Sequence, residues 1–475
     1  MKEKLYANFV IGIVSIFVAF LMAIIIAKFA TLSIAMIPVL ILGAFLTYFI
    51  IRRPELGWLL IIFFLPFERV PTVAFGGVDI KINTILGFIT LIAWILALMF
   101  NAKKYKVQPY VIAIPIILFI LAMLLSLTDA GAFTRGLMVL FFILFTILLS
   151  VLAVNMLSDK EQLKKTLIVL FASSFIVGVF GLFQFGGDTV GLPQSLTLLK
   201  QGYTKVVFGF PRVQAFSMEP LYLANYLLIP IFVGIALFFN KTGPVPRWTL
   251  AGLLALLILI FVLTVSRGGY LGFIGAFAVS AILMFRQVLT WKNILIGLLT
   301  IVVVGYGVAF ALSKGDYRAT NEFIGHVTLG DLNRGESIQG RLATFRRAMQ
   351  AYVESPIIGV GIGNYGPWNK FYPDATPKIG WDIVNNQYIE LLAETGIVGV
   401  SAFGLIIIVL IWRTFSALKK AKDIFLKSVL IGFFAALVGV LIQYNFMSTL
   451  YIIHIWVLIG LLVGVQNLIF KEQKA

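Results

Sequence analysis

The sequence contains no cysteine and only two histidines, His326 and His454. Disulfides, thiolate nucleophiles and thiolate metal sites are excluded, and two histidines are too few for a metal centre built on imidazole. Charge is scarce as well: Asp, Glu, Lys and Arg make up 12% of the 475 residues, against about 25% in a soluble domain. What fills the space is apolar: 61% of the residues are hydrophobic and the mean hydropathy is +1.03. An ordinary soluble enzyme, a disordered chain and a nucleic-acid binder are all excluded by that composition, which is that of an all-α polytopic membrane protein.

A bilayer core about 30 Å thick needs roughly 20 apolar residues per helix. Runs that approach this length lie near 8–28, 32–51, 56–67, 82–100, 109–128, 136–157, 167–186, 221–240, 248–265, 270–285, 294–312, 396–412, 425–447 and 451–470. The third is short and is interrupted at Pro66, so 12–14 transmembrane helices are expected. The first run follows Met-Lys-Glu-Lys and has no small-residue cleavage site behind it, so it is read as a retained helix.

The excess of 37 Lys and Arg over 20 Asp and Glu follows this alternation. With the N-terminus inside and every run crossing, the inner loops and termini hold 21 basic residues against six acids. The positive-inside rule then places both termini in the cytoplasm, and no nucleic-acid partner is needed to account for the charge. Organisation follows: N-terminal helices over 1–186, a first outer loop over 187–220, central helices over 221–312, a long outer loop over 313–395 and C-terminal helices over 396–475. Within the long loop, Ser337–Val353 places Leu342, Phe345, Met349 and Tyr352 at three- and four-residue steps, an amphipathic helix that Pro356 and the run Gly359–Gly363 bring to an end. The inner loops are too short for a nucleotide-binding domain and contain no phosphate-binding Gly-rich motif. Chemistry is expected on the outer face.

Arg267, in Thr264-Val-Ser-Arg-Gly-Gly269, stands between two apolar runs. An arginine at such a turn, next to glycines that let a ligand approach the backbone, suits a phosphate or diphosphate; a snorkelling arginine at a helix end is the competing reading. Arg212 and Glu219 bracket the stretch that leads back into the membrane, with Pro220 at the first helical position. Glu219 is either a dipole-compatible helix cap or a buried general base beside a water-poor cavity. Of Arg341, Arg346 and Arg347, Arg341 opens the apolar periodicity and is the ligand candidate, while at least one of the others faces solvent. Asn385, Asn386 and Tyr388 precede the i, i+4 carboxylates Glu390 and Glu394, a weak cation pattern, and then Gly396 and Gly399. His454 reads as a bundle residue, and His326 has no ligand partner nearby in sequence.

Taken together, Ser266-Arg-Gly-Gly269, Gly340-Arg341 through Pro356 to Gly359-x-Gly-x-Gly363, and Asn385-Asn-x-Tyr-x-Glu with Gly396-x-x-Gly399 resemble the O-antigen ligase and polymerase superfamily, most strongly from about 205 to 405. The ligase branch has a histidine where this chain has Asn385, and an amide cannot accept the proton assigned to that histidine. Met218-Glu219-Pro220 is similar to the polymerase branch. The resemblance implies a metal-independent, inverting glycosyltransferase of the bacterial inner membrane that needs no cofactor and polymerises polyprenyl-diphosphate-linked repeat units. It implies Glu219 as base, Arg267, Arg212 and Arg341 on the leaving diphosphate, and Asn385, Asn386 and Tyr388 on sugar or diphosphate. Partners would be the lipid-linked donor, a glycan or lipid acceptor, membrane lipids and a chain-length regulator or other assembly proteins. The alternatives are a ligase that transfers glycan to lipid A core and, in another class, a flippase for lipid-linked oligosaccharide. The flippase reading requires charges at mid-membrane depth, which this sequence has little of.

A reporter fused after Lys422 is expected to be active in the cytoplasm, and one inserted near Asp331 to report the outer side. The same side for both would contradict the fourteen-run topology.

Overall fold

The computed structural model describes residues 33–69, 72–75, 78–100, 105–285, 336–370 and 382–473. The expected runs at 8–28 and 294–312, and His326, lie outside the described residues. Each of the other twelve runs overlaps a helix. Among the described residues, seven helices are long and apolar enough to cross a membrane, and five shorter apolar helices accompany them. The chain is a polytopic α-helical membrane protein.

It divides into two compact units, Met1–Gln108 and Pro109–Ala475. The first holds α1 (Ser33–Arg52), α2 (Pro54–Phe64), an antiparallel hairpin of β1 (Thr72–Phe75) and β2 (Val78–Lys81), and α3 (Ile82–Phe100). Pro54 opens α2 at a position that needs no N–H donor. A Cβ at Gly57 would fall 2.2 Å from Thr90 Oγ1, so α2 and α3 meet at backbone distance. This short hairpin accompanies the helices and leaves the all-α class unchanged. Its alternating Thr-Val-Ala-Phe and Val-Asp-Ile-Lys on either side of Gly76-Gly77 are a hairpin signal that the search for long apolar runs passes over.

The second unit contains α4 (Ala113–Ser126), α5 (Phe133–Met156), α6 (Lys160–Val190), the short α7 (Gln194–Thr197) and α8 (Lys205–Phe208), α9 (Pro220–Phe239), α10 (Arg247–Leu263), α11 (Arg267–Leu283), α12 (Glu336–Glu354), the short α13 (Tyr365–Asn369), α14 (Gln387–Lys420), α15 (Ile424–Gln443) and α16 (Ile453–Glu472). Helices α9, α15 and α16 are the most buried and form the centre. Because lipid is as apolar as the helices, close van der Waals packing and polar contacts hold such a bundle together. Glycines provide the first: a Cβ at Gly272 would lie 2.7 Å from the Gly439 carbonyl, and one at Gly432 2.5 Å from Val233 Cα. A buried network provides the second. Asn225 Nδ2 donates to Gln443 Oε1 (2.6 Å), and Asn225 Oδ1 lies 2.8 Å from His454 Nε2, which therefore carries the proton. His454 is a bundle residue, as expected.

The run expected to begin at 396 does so at a kink: Gly396, at φ 60° and ψ −166°, separates it from a preceding helical segment that opens at Gln387. One expectation is corrected here. The amphipathic helix is present as α12, but it packs through Phe345, Ala348 and Ala351, while Leu342 and Met349 are 48% and 40% exposed. Small alanines allow the closer approach, and periodicity of large residues alone misses them.

At one end of this unit the links between helices contact one another. Ala132 N donates to Asn364 Oδ1, Val213 N to the Leu263 carbonyl, and Asn386 Nδ2 to the Asn445 carbonyl. At the opposite end Lys160 bridges Asp423 (2.5 Å) and Glu472, and Lys471 donates to the Ser158 carbonyl.

Replacing Gly272 by Leu is expected to cost about 1–3 kcal/mol through overpacking. Gly252→Ala, with no atom within 4 Å of the new Cβ, is expected to hold or slightly raise stability. Thermal midpoints of the purified protein distinguish the two; equal midpoints would contradict the close-packing reading.

Candidate functional site

The site forms where α10 stops. In a membrane protein the last carbonyls of a broken helix have no water to bond, so a side chain must satisfy them. Arg212 does so: its Nη2 donates to the Val265 carbonyl at 3.0 Å and its Nε to the Thr264 carbonyl at 3.4 Å. Ser266 then caps α11 by accepting from Gly269 N at 3.3 Å. Arg267 follows as the first residue of that helix, half-buried, with its Nε enclosed and without a hydrogen-bond partner. Arg212 and Arg267 feel one another's charge.

This juxtaposition is electrostatically unfavourable in the absence of an anion. Arg267 sits at the positive end of a helix dipole, where a cation is disfavoured. Burial pulls Arg212 below the usual arginine value and the Arg267 charge acts in the same direction, opposed by Tyr203, Tyr270 and Glu219. The Arg212 guanidinium also lies over the Tyr203 ring, 5.7 Å from its centre. Arg212 stays charged at neutral pH.

Glu219 occupies the N-cap position of α9 but makes no side-chain cap hydrogen bond. Its carboxylate instead faces Tyr203, whose phenol is pushed up to about 12 by burial and by that negative charge. At neutral pH Tyr203 is therefore protonated and able to donate. Glu219 itself is exposed at this end, not buried as the base reading expects, and of the two contributions a cap can make it lacks the hydrogen bond but keeps the favourable helix dipole.

The glycines after Arg267 pack against neighbouring elements. A Cβ at Gly268 would meet Phe446 Cβ at 2.8 Å, and one at Gly269 would meet Ala224 Cβ at 2.8 Å. They let neighbouring elements approach closely on the side where a Cβ would stand. The contact with Phe446 ties Arg267 to the second half of the site, because Asn445 accepts from Asn386 and the Thr449 and Leu450 amides donate to Gln387 Oε1 (2.6 and 2.8 Å).

Asn385 lies in this second half with φ 56°, a left-handed conformation that asparagine tolerates. Asn386 caps α14 by accepting from the Tyr388 and Ile389 amides, and Tyr388 donates its hydroxyl to the Leu441 carbonyl at 2.7 Å. These groups are engaged within the protein, so they hold the loop on which Asn385 sits. Arg341 belongs to α12, whose packed face, through Ala348 and Ala351, meets Val384 and Ala393. Burial pulls Arg341 below the usual arginine value. Arg346 is exposed, and Arg347 donates to Asn369 Oδ1 at 3.4 Å.

The paired carboxylates serve the backbone. Glu394 accepts from Gly363 N (2.8 Å) and Tyr365 N (3.1 Å), and Glu390 from Val384 N (2.8 Å). Gly359, Gly361 and Gly363 have φ of 73°, 102° and 71°, which turns successive amides of this loop inward toward Glu394 and its neighbours. Among the described residues no group of three or more His, Asp and Glu side chains is placed to hold a metal ion. Two participants escaped the sequence reading. Arg135 donates Nε to the Gly363 carbonyl at 2.7 Å and faces Glu390 and Glu394, and Tyr203 faces Glu219. An arginine two residues into an apolar run, Phe133-Thr-Arg135, was the available signal for the first.

The architecture is that of a membrane protein whose interhelical links assemble a cationic site at one end. Residues 252–404 match the family described as O-antigen ligase, a stretch that includes Arg267, Arg341 and Asn385 through Gly399. That part of the chain is therefore similar to the O-antigen ligase family. Arg212 and Glu219 lie before it. The chain is also 27% identical, over 171 residues, to an uncharacterized protein of Haemophilus influenzae; the alignment takes in 34% of this chain and 42% of that protein.

Glu394→Ala is expected to orphan two buried amides, at about 1–3 kcal/mol each, and to speed hydrogen exchange at Gly363 and Tyr365. Unchanged exchange there would contradict the anchoring role of this carboxylate.

Proposed function

We propose that the protein is a glycan polymerase that joins polyprenyl-diphosphate-linked repeat units on the outer face of the bacterial inner membrane. The observation that carries this reading is the pair Arg212 and Arg267, held together at a helix N-terminus with a single carboxylate nearby. Two guanidiniums in a half-buried setting match the charge and geometry of a diphosphate, and sugar on a lipid diphosphate is already activated. A hydroxyl of the acceptor glycan attacks the anomeric carbon of the donor, the carbon–oxygen bond to the diphosphate breaks with inversion, and the hydroxyl proton passes to Glu219. Arg212 and Arg267 offset the charge that develops on the leaving diphosphate, an electrostatic effect worth several kcal/mol. Arg341 and Asn385 approach the sugar from the opposite side, with Asn386 and Tyr388 holding the loop. No metal is invoked. Glu219, without a cap hydrogen bond, favours the polymerase over the ligase branch, in which the acid–base role falls to a histidine at position 385.

Glu219→Gln is expected to preserve expression and lipid binding while cutting turnover roughly 10²–10⁴-fold. Arg267→Lys is expected to lose most activity although charge is kept, because lysine cannot make the two-pronged contact. Turnover with purified lipid-linked repeat units checks both. Full activity in Glu219→Gln, together with transfer to lipid A core by the unmodified protein, would overturn the polymerase reading in favour of a ligase.

A further inference from the structure

At the end of the second unit opposite the candidate site, the link between α9 and α10 borders a partly open surface cavity of about 120 Å³ lined by Phe238, Lys241, Thr242, Gly243, Arg247 and Leu250, with Lys241 and Arg247 exposed. Asn240, which donates to Ser428 Oγ near the start of α15 (2.8 Å), fixes this link at the Asp423 end. That end is the one the charge asymmetry of the sequence assigns to the cytoplasm.

Two cations meet at this cavity. Lys241 has φ 53°, left-handed in a residue that rarely adopts it, and Arg247 is held over the Phe238 ring with 4.5 Å between its guanidinium carbon and the ring centre. Neither makes an ion pair among the described residues, in contrast to Lys160 at the same end, which is bridged by two carboxylates. Arg247 is also the first residue of α10, where Pro246 provides no side-chain cap and a cation opposes the helix dipole. An acidic group in the cavity would offset both charges and accept from the Thr242 hydroxyl. A water needs roughly 10–15 Å³ of such space, so the cavity has room for a group of several heavy atoms.

We infer that this cavity binds the phosphate of an anionic phospholipid in the adjoining leaflet. The lipid source is favoured over free phosphate by the surroundings. Leu237, Phe238 and Leu250 give the cavity an apolar floor at the ends of two apolar helices, and Trp248 beside Arg247 is 83% exposed, the placement of an interfacial aromatic anchor. The site is independent of the proposed glycosyl transfer.

Native mass spectrometry of the full-length protein, titrated with phosphatidylglycerol or phosphatidylcholine, tests it. The wild type is expected to retain one phosphatidylglycerol in preference to phosphatidylcholine. The double variant Lys241→Gln, Arg247→Gln is expected to bind it roughly 30-fold more weakly, the effect of two surface cations on an anionic lipid. Lys241→Arg with Arg247→Lys, which keeps the charge, is expected to retain the lipid, and the exposed control Lys419→Gln, Lys427→Gln at the same end to bind it as the wild type does. Equal retention by the double variant, equal retention of phosphatidylcholine, or an equal loss in the control would overturn the assignment. Displacement of the lipid by millimolar inorganic phosphate would overturn it in favour of free phosphate.

Discussion

A helix that breaks inside a membrane protein leaves carbonyls that must find donors within the protein, and the α10–α11 break finds them in Arg212. The contact with the Thr264 and Val265 carbonyls does two things at once. It satisfies the broken helix, and it pins a guanidinium beside Arg267. Because Arg212 is committed to this structural role, its charge is fixed in place, and under the proposed function the charge repulsion it creates with Arg267 would be relieved by the diphosphate. Preorganisation of this kind is what makes electrostatic catalysis efficient.

The same economy recurs around the site. Gln184 Oε1 accepts from the Gln214 and Ala215 amides and so holds the strand of chain that carries Arg212. Glu394 gathers the glycine loop, Gln387 anchors the segment between α15 and α16, and Asn386 caps α14. Each is a polar side chain used to satisfy backbone that sheet or helix bonding cannot reach. The result is a layer of interlocked links at one end of the bundle, with α9, α15 and α16 packed beneath it through glycine contacts. Glu219 stands out because it sits where a cap belongs and makes no cap hydrogen bond.

Much of the helical architecture was legible because hydropathy and length measure the bilayer directly. The apolar runs and the amphipathic helix α12 follow from spacing, and Arg212, Glu219 and Arg267 were identifiable as charges at the ends of apolar runs. Less legible was anything decided by close approach. Gly268 and Gly269 look like a ligand-accommodating pair in sequence, whereas Phe446 and Ala224 stand where a Cβ on them would lie. Large residues suggested the wrong face for α12, whose contacts run through Ala348 and Ala351. Asn386 and Tyr388 read as ligand donors because polar residues near a motif invite that reading, but their partners, the α14 amides and the Leu441 carbonyl, are visible only in three dimensions. Arg135 was hidden for the same reason, since its partner Gly363 is 228 residues away.

Under the proposed function one site, with no second protein and no nucleotide, lengthens a lipid-linked glycan. Incubation of the purified protein with a single species of polyprenyl-diphosphate-linked repeat unit, followed by size analysis of the lipid-linked products, addresses it directly. The account predicts a ladder of longer lipid-linked chains together with release of polyprenyl diphosphate. Substrate recovered at its original length would contradict it, and movement of that substrate across the bilayer without elongation would identify a transporter instead.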